Sequence, residues 1–524
     1  MRHISIILAS LAALLLWTSC TDDDSTSADY SRVNDITISG LEKSYSAMAY
    51  LGEHIKISPT ITTANSSEDM TYQWLLYSSK TGTVVDGDTV KPVVIAQTRD
   101  LDYEVVVAPG TYQLRLLASD KHSGYTAYAT AALSVATSFS EGFYILKQTA
   151  NGQTELDQLT SKGLEGHDLL KHTQGESMEG KPAAIWPIYN TDYINPDDKA
   201  IAQTNALAIV NEDGNVEVNR MADFQTVFSR NNLLYGQMDD DERVYAFFAT
   251  ANGYHFLVTS KGFRYCIQTG KSTGQYSNPM NTTGASTHIA SDLLSYGGAL
   301  LWDEAAHSLI VTDYSANPSP LAYADQTGTE LTQNLKGYDC LHIGYNLMNS
   351  QATFTAILSD GSGQRYLYLA SPSFFGTSLT SRKLLDSSSH MAHATSYSTC
   401  RNMAHYIYCT EGGKLYACNY TDDDLPETQL SPEGIGSDET INFVTNQFWK
   451  GGISGGKNFD YLIVGTQKGN QYTLRFYEMN GGAPVGKPVK TISGEGKVKM
   501  VRYLYSNFNV NDWNFQINVY SITD

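Results

Sequence analysis

The chain has 524 residues, 41% of them hydrophobic, and its 55 acidic against 35 basic side chains give a formal net charge of −20. That balance excludes a nucleic-acid partner, because phosphate contacts need a basic face, and it excludes peripheral docking on anionic lipid. Thirty-five tyrosines against 17 phenylalanines and 6 tryptophans suit strands that are apolar on one side and wet on the other.

Arg2 and His3 precede an apolar run, Ile4 to Trp17, broken only by two serines. At about 14 residues it is too short for a spanning helix, which needs roughly 20. Thr18 and Ser19 are small and Cys20 follows at once. The pattern predicts a lipoprotein signal peptide over 1–19, cleavage before Cys20, and a lipid anchor on the Cys20 thiol. Trp17 departs from the pattern, standing where leucine is commoner. Residues 20–32, with Asp22, Asp23 and Asp24, cannot bury apolar area and are expected to form an acidic flexible tether.

Residues 33–138 show short alternating runs at sandwich spacing. Ile36 alternates with Ile38, and Ile55 with Ile57. Tyr72, Trp74 and Leu76 share one face, as do Leu101, Tyr103, Val105 and Val107. Pro109-Gly110 makes a turn, Tyr112, Leu114 and Leu116 face inward, and Asp120 ends the strand. Period-two alternation between turn residues predicts an antiparallel sandwich of immunoglobulin type, with Trp74 as its core aromatic.

Thr71-Tyr72-Gln73-Trp74, followed by Pro109-Gly110-Thr111-Tyr112-Gln113-Leu114-Arg115-Leu116 and Asp120, resembles a PKD-like domain. Glu141-Gly142-Phe143-Tyr144-Ile145-Leu146-Lys147, then Gly152 and Leu156-Asp157, resembles the junction of the PKD-like family lipoproteins of Bacteroidetes. The acidic run behind Cys20 is similar to the surface-export signal of lipoproteins from that group. The resemblance implies an outer-membrane protein, lipid-anchored and facing the cell exterior. It also implies two partners, a TonB-dependent (SusC-like) transporter and a SusD-like lid lipoprotein, in the capture of peptides or glycans. It brings no catalytic residue with it.

Over 139–524 one theme recurs: a strand, a tight turn, usually bearing glycine, and another strand. It occurs at Phe143 to Leu156, Ala206 to Val218, Tyr254 to Ile267, Leu300 to Asp313, Phe354 to Leu369, Tyr406 to Cys418 and Tyr461 to Tyr477. Hairpins roughly 50 residues apart predict propeller blades, each too thin to bury both faces alone. The expected fold is therefore all-β: a sandwich followed by a β-propeller of about seven blades. Val498 to Leu504 and Trp513 to Val519 would supply closing strands, and the first hairpin could share a blade with the C-terminus. A short helical stretch is expected near Leu164 to His172.

Few residues suggest chemistry. The stretch 451–457 formally matches both a phosphate-binding loop and a G-x-S-x-G elbow. Each motif works only between a strand and a helix, whereas Phe459 to Gly465 reads as a strand. His390 and His393 are three apart in a Ser- and Ala-rich loop, without an H-E-x-x-H pattern. Asp239-Asp240-Asp241 and Asp422-Asp423-Asp424 lack the alternating ligands of a calcium loop and read as solvated turns. Cys266, Cys340, Cys400, Cys409 and Cys418 are odd in number, so at least one is unpaired; most are expected to be buried free thiols, with a disulfide among the last three left open. No cofactor or metal is expected. Trp186, Trp302 and Trp449, with Tyr189, Tyr193 and Phe448 nearby, are candidate ligand-binding aromatics, with blade packing as the alternative. The expected function is non-enzymatic binding at the cell surface. The alternative is a propeller hydrolase with a carboxylate pair, which no motif favours.

Overall fold

The computed structural model describes residues 36–63, 69–85, 88–196, 198–249, 254–280, 288–292, 298–313, 317–325, 328–349, 351–373, 376–449, 458–505 and 521–522. They divide into two compact units. One holds the described residues up to Tyr45 with Ile55–Tyr103 and Thr111–Leu133; the other holds Ser46–His54, Glu104–Gly110 and the described residues from Ser134 onward.

The first unit is a small β structure. Its larger sheet contains Thr126–Ala136, Gly110–Asp120, Met70–Tyr77 and Val93–Ala96 as neighbours in that order. Trp74 lies opposite Leu116 in the antiparallel register and is fully buried. Its indole Nε1 donates to the Arg99 carbonyl at 3.2 Å, so the ring meets its one polar demand inside the core. Asp120 does end its strand. Its carboxylate accepts from the His122 amide at 2.8 Å, which bends the chain into the next hairpin. Ile38 pairs opposite Ile61 in a separate two-stranded ladder.

The second unit is a propeller. Seven of its sheets are blades; in six the predicted hairpin supplies two middle strands, and in three-stranded blade three it supplies the middle and the outer one. Blade two runs Pro182–Ile194, Ile201–Asn211, Val216–Arg220, Thr226–Ser229 from inside to outside. Blade three is Val244–Ala249, Tyr254–Thr259, Gly262–Ile267. Blade four contains Ile289–Asp292, Gly298–Asp303, Ser308–Thr312 and Pro318–Pro320. Blade five is Asp339–Met348, Gln351–Ser359, Arg365–Ser373, Gly376–Leu384, and blade six is Ser396–Thr399, Tyr406–Glu411, Lys414–Asn419, Glu427–Leu430. Blade seven begins with Thr440–Trp449, Phe459–Lys468 and Gln471–Asn480, with Lys490–Glu495 outermost.

Blade one closes the ring. Gly142–Gln148, Thr154–Thr160 and Glu165–Gly166 come from the start of the unit, and Lys497–Leu504 adds the innermost strand antiparallel to Gly142–Gln148. The first hairpin thus shares its blade with a late strand, and Val498 to Leu504 is a closing strand. Trp513 to Val519 lies outside the described residues.

Most middle strands are covered on both faces and read as apolar runs, as in Leu309, Ile310 and Val311 of Ser308–Thr312; Thr154–Thr160 is buried at every position although it carries Glu155, Asp157 and Gln158. Tight turns follow the local chemistry. Gly412 and Gly413 hold φ of 56° and 78°, the paired left-handed geometry of a two-residue hairpin. Among the described residues of the unit an α-helix spans Leu169–Gln174, later than expected. Its position is set by Glu155, whose carboxylate accepts from the Leu170 and Lys171 amides at 2.8 and 3.2 Å and so satisfies the first turn.

Candidate functional site

The innermost strands surround a central cavity of about 250 Å³. Lys497–Leu504 packs beside Thr440–Trp449 on one side and Pro182–Ile194 on the other, and Asp339–Met348, Ser396–Thr399 and Thr440–Trp449 follow one another round the ring. Side chains stitch these strands together. The Ser398 hydroxyl accepts from the Asn446 amide at 2.9 Å, Asn346 Nδ2 donates to the Cys400 carbonyl, and Gln447 Nε2 donates to the Val501 carbonyl at 3.1 Å. Neighbouring blades are therefore joined through backbone groups that sheet pairing leaves over.

Five of the seven innermost strands carry a register shift near their start. One residue is left over against the next strand: Ala183 in blade two, Tyr245 in blade three, Leu341 in blade five, Asn442 in blade seven and Lys499 in blade one. The innermost strands all run the same way along the ring, so these bulges lie at one end of it. Ala183, Leu341, Asn442 and Lys499 line the cavity. A bulge bends its strand and re-aims the extra side chain.

The lining is polar and basic. Lys499 and Arg502, His288 and His342, and the amides of Asn442 and Gln447 contribute to it, and no Asp or Glu does so among the described residues. Lys499 and Asn442 are exposed. Arg502 is buried, with its guanidinium carbon 5.1 Å from the Trp186 ring centroid, which fixes a cation over an aromatic face. His342 Nε2 meets the Thr399 hydroxyl at 2.9 Å, and Thr399 is in turn 2.6 Å from the Thr355 hydroxyl. Burial raises the Tyr397 phenol well above its ordinary value despite the nearby Arg365 cation, so the ring beside His342 stays neutral.

A second polar cluster sits where blade one meets blade seven. Lys147 Nζ lies 2.7 Å from both Asp157 and Asp168, and the Lys147 and Asp157 side chains are 2% and 0% exposed. Asp157 also meets His167 Nδ1 at 3.2 Å and accepts from the Asp168 amide and from the Tyr472 hydroxyl of blade seven. Burial alone would raise the Asp157 carboxyl, but His167 and Lys147 outweigh it and hold it below its ordinary value. Burial would lower the Lys147 ammonium, and the two aspartates outweigh that and raise it. Glu155 goes the other way, because its burial exceeds what Ser177 and the backbone donors return. Of these contacts only that of Tyr472 with Asp157 crosses to blade seven; Lys147, Glu155, His167 and Asp168 tie blade one and its helix together.

A third constellation resembles chemistry without performing it. The loop at Thr269, Gly270 and Ser272 turns its backbone N–H groups inward as a nest for an anion, and the Asp192 carboxylate fills it at 3.0–3.1 Å. Beside it, His255 and Cys266 lie opposite one another in blade three. Burial pushes the His255 imidazole down to about 4 and the Cys266 thiol up to about 11, which is the reverse of an activated thiolate pair.

The predicted site residues fall as follows. Cys20 and the stretch 451–457 lie outside the described residues. Trp186 and Trp302 are 0% exposed and Trp449 is 5% exposed, so none offers a face to a ligand. Trp186 donates to the Tyr245 carbonyl at 3.3 Å, Trp302 is part of a core cluster of blades four and five, and Trp449 packs edge-on to Tyr503. The assignment of these three indoles to ligand binding is corrected: their size and apolarity place them between blades. Tyr189 and Tyr193 are buried too. His390 stacks on Tyr416 at 3.7 Å and meets Glu411, whereas His393 bonds to the Ser387 carbonyl, so the pair does not converge. Asp241 pairs with Lys261 and Asp423 with Lys383. The five cysteines after Cys20 are free, four buried and Cys340 half-buried. Lys499, Asn442, Arg502 and His342 were missed. The only signal for them was polar residues interrupting β-rich runs.

Comparison with known proteins bears on the front of the chain. Residues 20–182 match the PKD-like family. Among solved structures, the chain is similar to a quinoprotein alcohol dehydrogenase-like protein from Bacteroides thetaiotaomicron at 11% identity and TM-score 0.47, over 91% of this chain and 100% of that one. It is also similar to the dihydro-heme d1 dehydrogenase NirN at 10% identity and TM-score 0.34, over 85% and 76%. Saccharomyces cerevisiae Sqt1 aligns at 11% identity and TM-score 0.34, over 68% and 91%. No curated protein matches. The propeller assignment stands on the sheet order of this chain itself: seven blades, closed by a late strand pairing with an early one.

Proposed function

We propose that this chain is a surface lipoprotein that binds a nutrient without transforming it. In this reading Cys20 carries the lipid anchor, the acidic residues behind it direct the protein to the exterior of an outer membrane, and the propeller holds ligand. Its partners are a TonB-dependent transporter and a SusD-like lipoprotein, and its ligand is a peptide or a glycan. The observation that carries the reading is the joining of PKD-like sequence over 20–182 to a ring whose central cavity is lined by hydrogen-bonding and cationic side chains. Binding is supported over hydrolysis at that cavity. A glycosidase needs two carboxylates flanking the bond, and the described lining contributes none.

Affinity purification of the tagged full chain from outer membranes tests the partnership. A transporter and a lid lipoprotein should co-elute, and their absence would count decisively against the accessory role. Metabolic labelling with a fatty acid tests the anchor: label should appear on the protein and vanish in Cys20→Ala.

A further inference from the structure

The central cavity combines three independent features. Its lining holds Lys499, Arg502, His288 and His342 and no described carboxylate, in a chain whose formal charge is −20. Acids outnumber bases over the chain as a whole, so a basic enclosure is a local reversal of sign. In a partly enclosed space with low-dielectric walls such a reversal is felt strongly, because the field is focused rather than screened. The second feature is the ring of bulges. Lys499 and Asn442 are each the extra residue of an innermost strand, on the adjacent blades one and seven. Both are exposed and both line the cavity, so an ammonium and an amide are offered to the same end of it. The third is rigidity. The strands behind these residues are tied by Gln447 to Val501 and by Ser398 to Asn446, so the donors are held before a ligand arrives.

The volume narrows the choice. About 250 Å³ is at or below the small end of ordinary ligand pockets. It suits one sugar or one amino-acid residue and not an extended chain. An ammonium beside an amide donor matches a carboxylate, which accepts on two oxygens.

We propose that the central cavity captures a ligand by a single terminal, carboxylate-bearing residue, held by Lys499 and Asn442 within the positive field of Arg502. This deepens the binding reading above and rests on it. Two sources share the chemistry, a uronate at the end of a glycan and the C-terminal carboxylate of a peptide.

Titration calorimetry on the full chain in detergent tests the inference. The probes are a glucuronate-ended disaccharide against its glucose-ended counterpart, and a tripeptide acid against the tripeptide amide. The acid member of at least one pair should bind about tenfold or more tighter than its neutral partner, and which pair responds identifies the source. Lys499→Gln should abolish that preference, and Asn442→Ala should reduce it. Both positions are exposed, and an unchanged thermal midpoint would show that the fold is intact. Equal binding of acid and neutral probes, no binding of any probe, or an undiminished preference in Lys499→Gln would overturn the proposal. Failure here with a transporter still co-purifying removes only the carboxylate site. A carboxylate preference without any transporter removes only the accessory role.

Discussion

Replacing Lys147 by Met is the sharpest test of the buried charge cluster that holds blade one together at its seam with blade seven. The change keeps the length and the apolar stem of the side chain and removes only the ammonium. That ammonium is 2.7 Å from an Asp157 carboxylate which is 0% exposed. Deleting one member of a buried pair leaves the other charge uncompensated, and the cost is about 3–5 kcal/mol. Asp157 retains His167, the Asp168 amide and the Tyr472 hydroxyl, which places the expectation at the lower end, about 3 kcal/mol. Lys147→Met combined with Asp157→Leu removes both charges and should recover at least about 2 kcal/mol of the summed single losses. The assay is urea denaturation followed by near-ultraviolet circular dichroism, comparing midpoints at constant slope. A loss below about 1 kcal/mol in Lys147→Met, or strictly additive singles, would refute the claim that this pair is a buried, coupled latch.

Three further outcomes are expected. The His255 imidazole is held at about 4 by burial, below its ordinary 6.5, so the unfolded chain takes up the proton first as pH falls. Stability from this group is full above pH 6.5, declines towards pH 4 by about 3 kcal/mol and is constant below that; thermal midpoints across pH should fall less steeply in His255→Leu than in the parent. Gly274 has φ +77° and an added Cβ would stand 1.7 Å from the Asp192 carbonyl oxygen, so Gly274→Ala should cost more than about 2 kcal/mol. Gly469, at φ +61° with open space around it, should cost only about 1–2 kcal/mol on the same change, and equal losses in urea melts would contradict the steric argument. Cys266 and Cys418, pushed up to about 11 and about 12 by burial, should resist a thiol reagent at pH 8 until urea is added, whereas half-buried Cys340 should react first; fast labelling of Cys266 in the native protein would be inconsistent with its burial.

What the sequence made legible was one piece of each blade. The seven predicted hairpins are the second and third strands of their sheets, counted from the centre. Those strands are covered on both faces, so stretches such as Ala356 to Leu358 or Leu462 to Val464 are apolar whatever the blade binds. The first and last strands were not legible, for opposite reasons. Outer strands such as Glu427–Leu430 are short and largely exposed, and little in them is constrained. Inner strands are interrupted by residues whose partners lie in another blade: Ser398 answers Asn446, and Asn346 answers Cys400. No local period contains that information. The same reason defeated the site prediction. Tryptophan is a good guess for a sugar platform only when its face is exposed, and exposure depends on which blade packs against it. Trp186 lies under Arg502, which is 316 residues further along the chain (502 − 186).

The bulges give the ring a division of labour. A residue in register must suit the residue opposite: Val444 faces Val464, and Ile343 faces Ala356. An exposed bulged residue such as Lys499 or Asn442 has no such partner, so its chemistry is not tied to packing, whereas Ala183 is buried and Leu341 packs against the core of blades five and six. The five extra residues are chemically unlike one another, an alanine, a tyrosine, a leucine, an asparagine and a lysine, although they occupy one structural position in five blades. The strands that carry them are fixed by inter-blade hydrogen bonds just beyond, as at Asn446 and Gln447. Substituting the exposed bulged positions, Asn442 and Lys499, should therefore change what the cavity binds far more than it changes stability. Lys499→Glu puts this to the test, because it reverses the charge at an exposed bulge without touching a ladder hydrogen bond. The thermal midpoint should move by no more than a surface substitution moves it, within about 0.5 kcal/mol of stability, while any preference for an acidic ligand should become a preference against it. A large loss of stability would mean that the bulged lysine is part of the fold and not of the site.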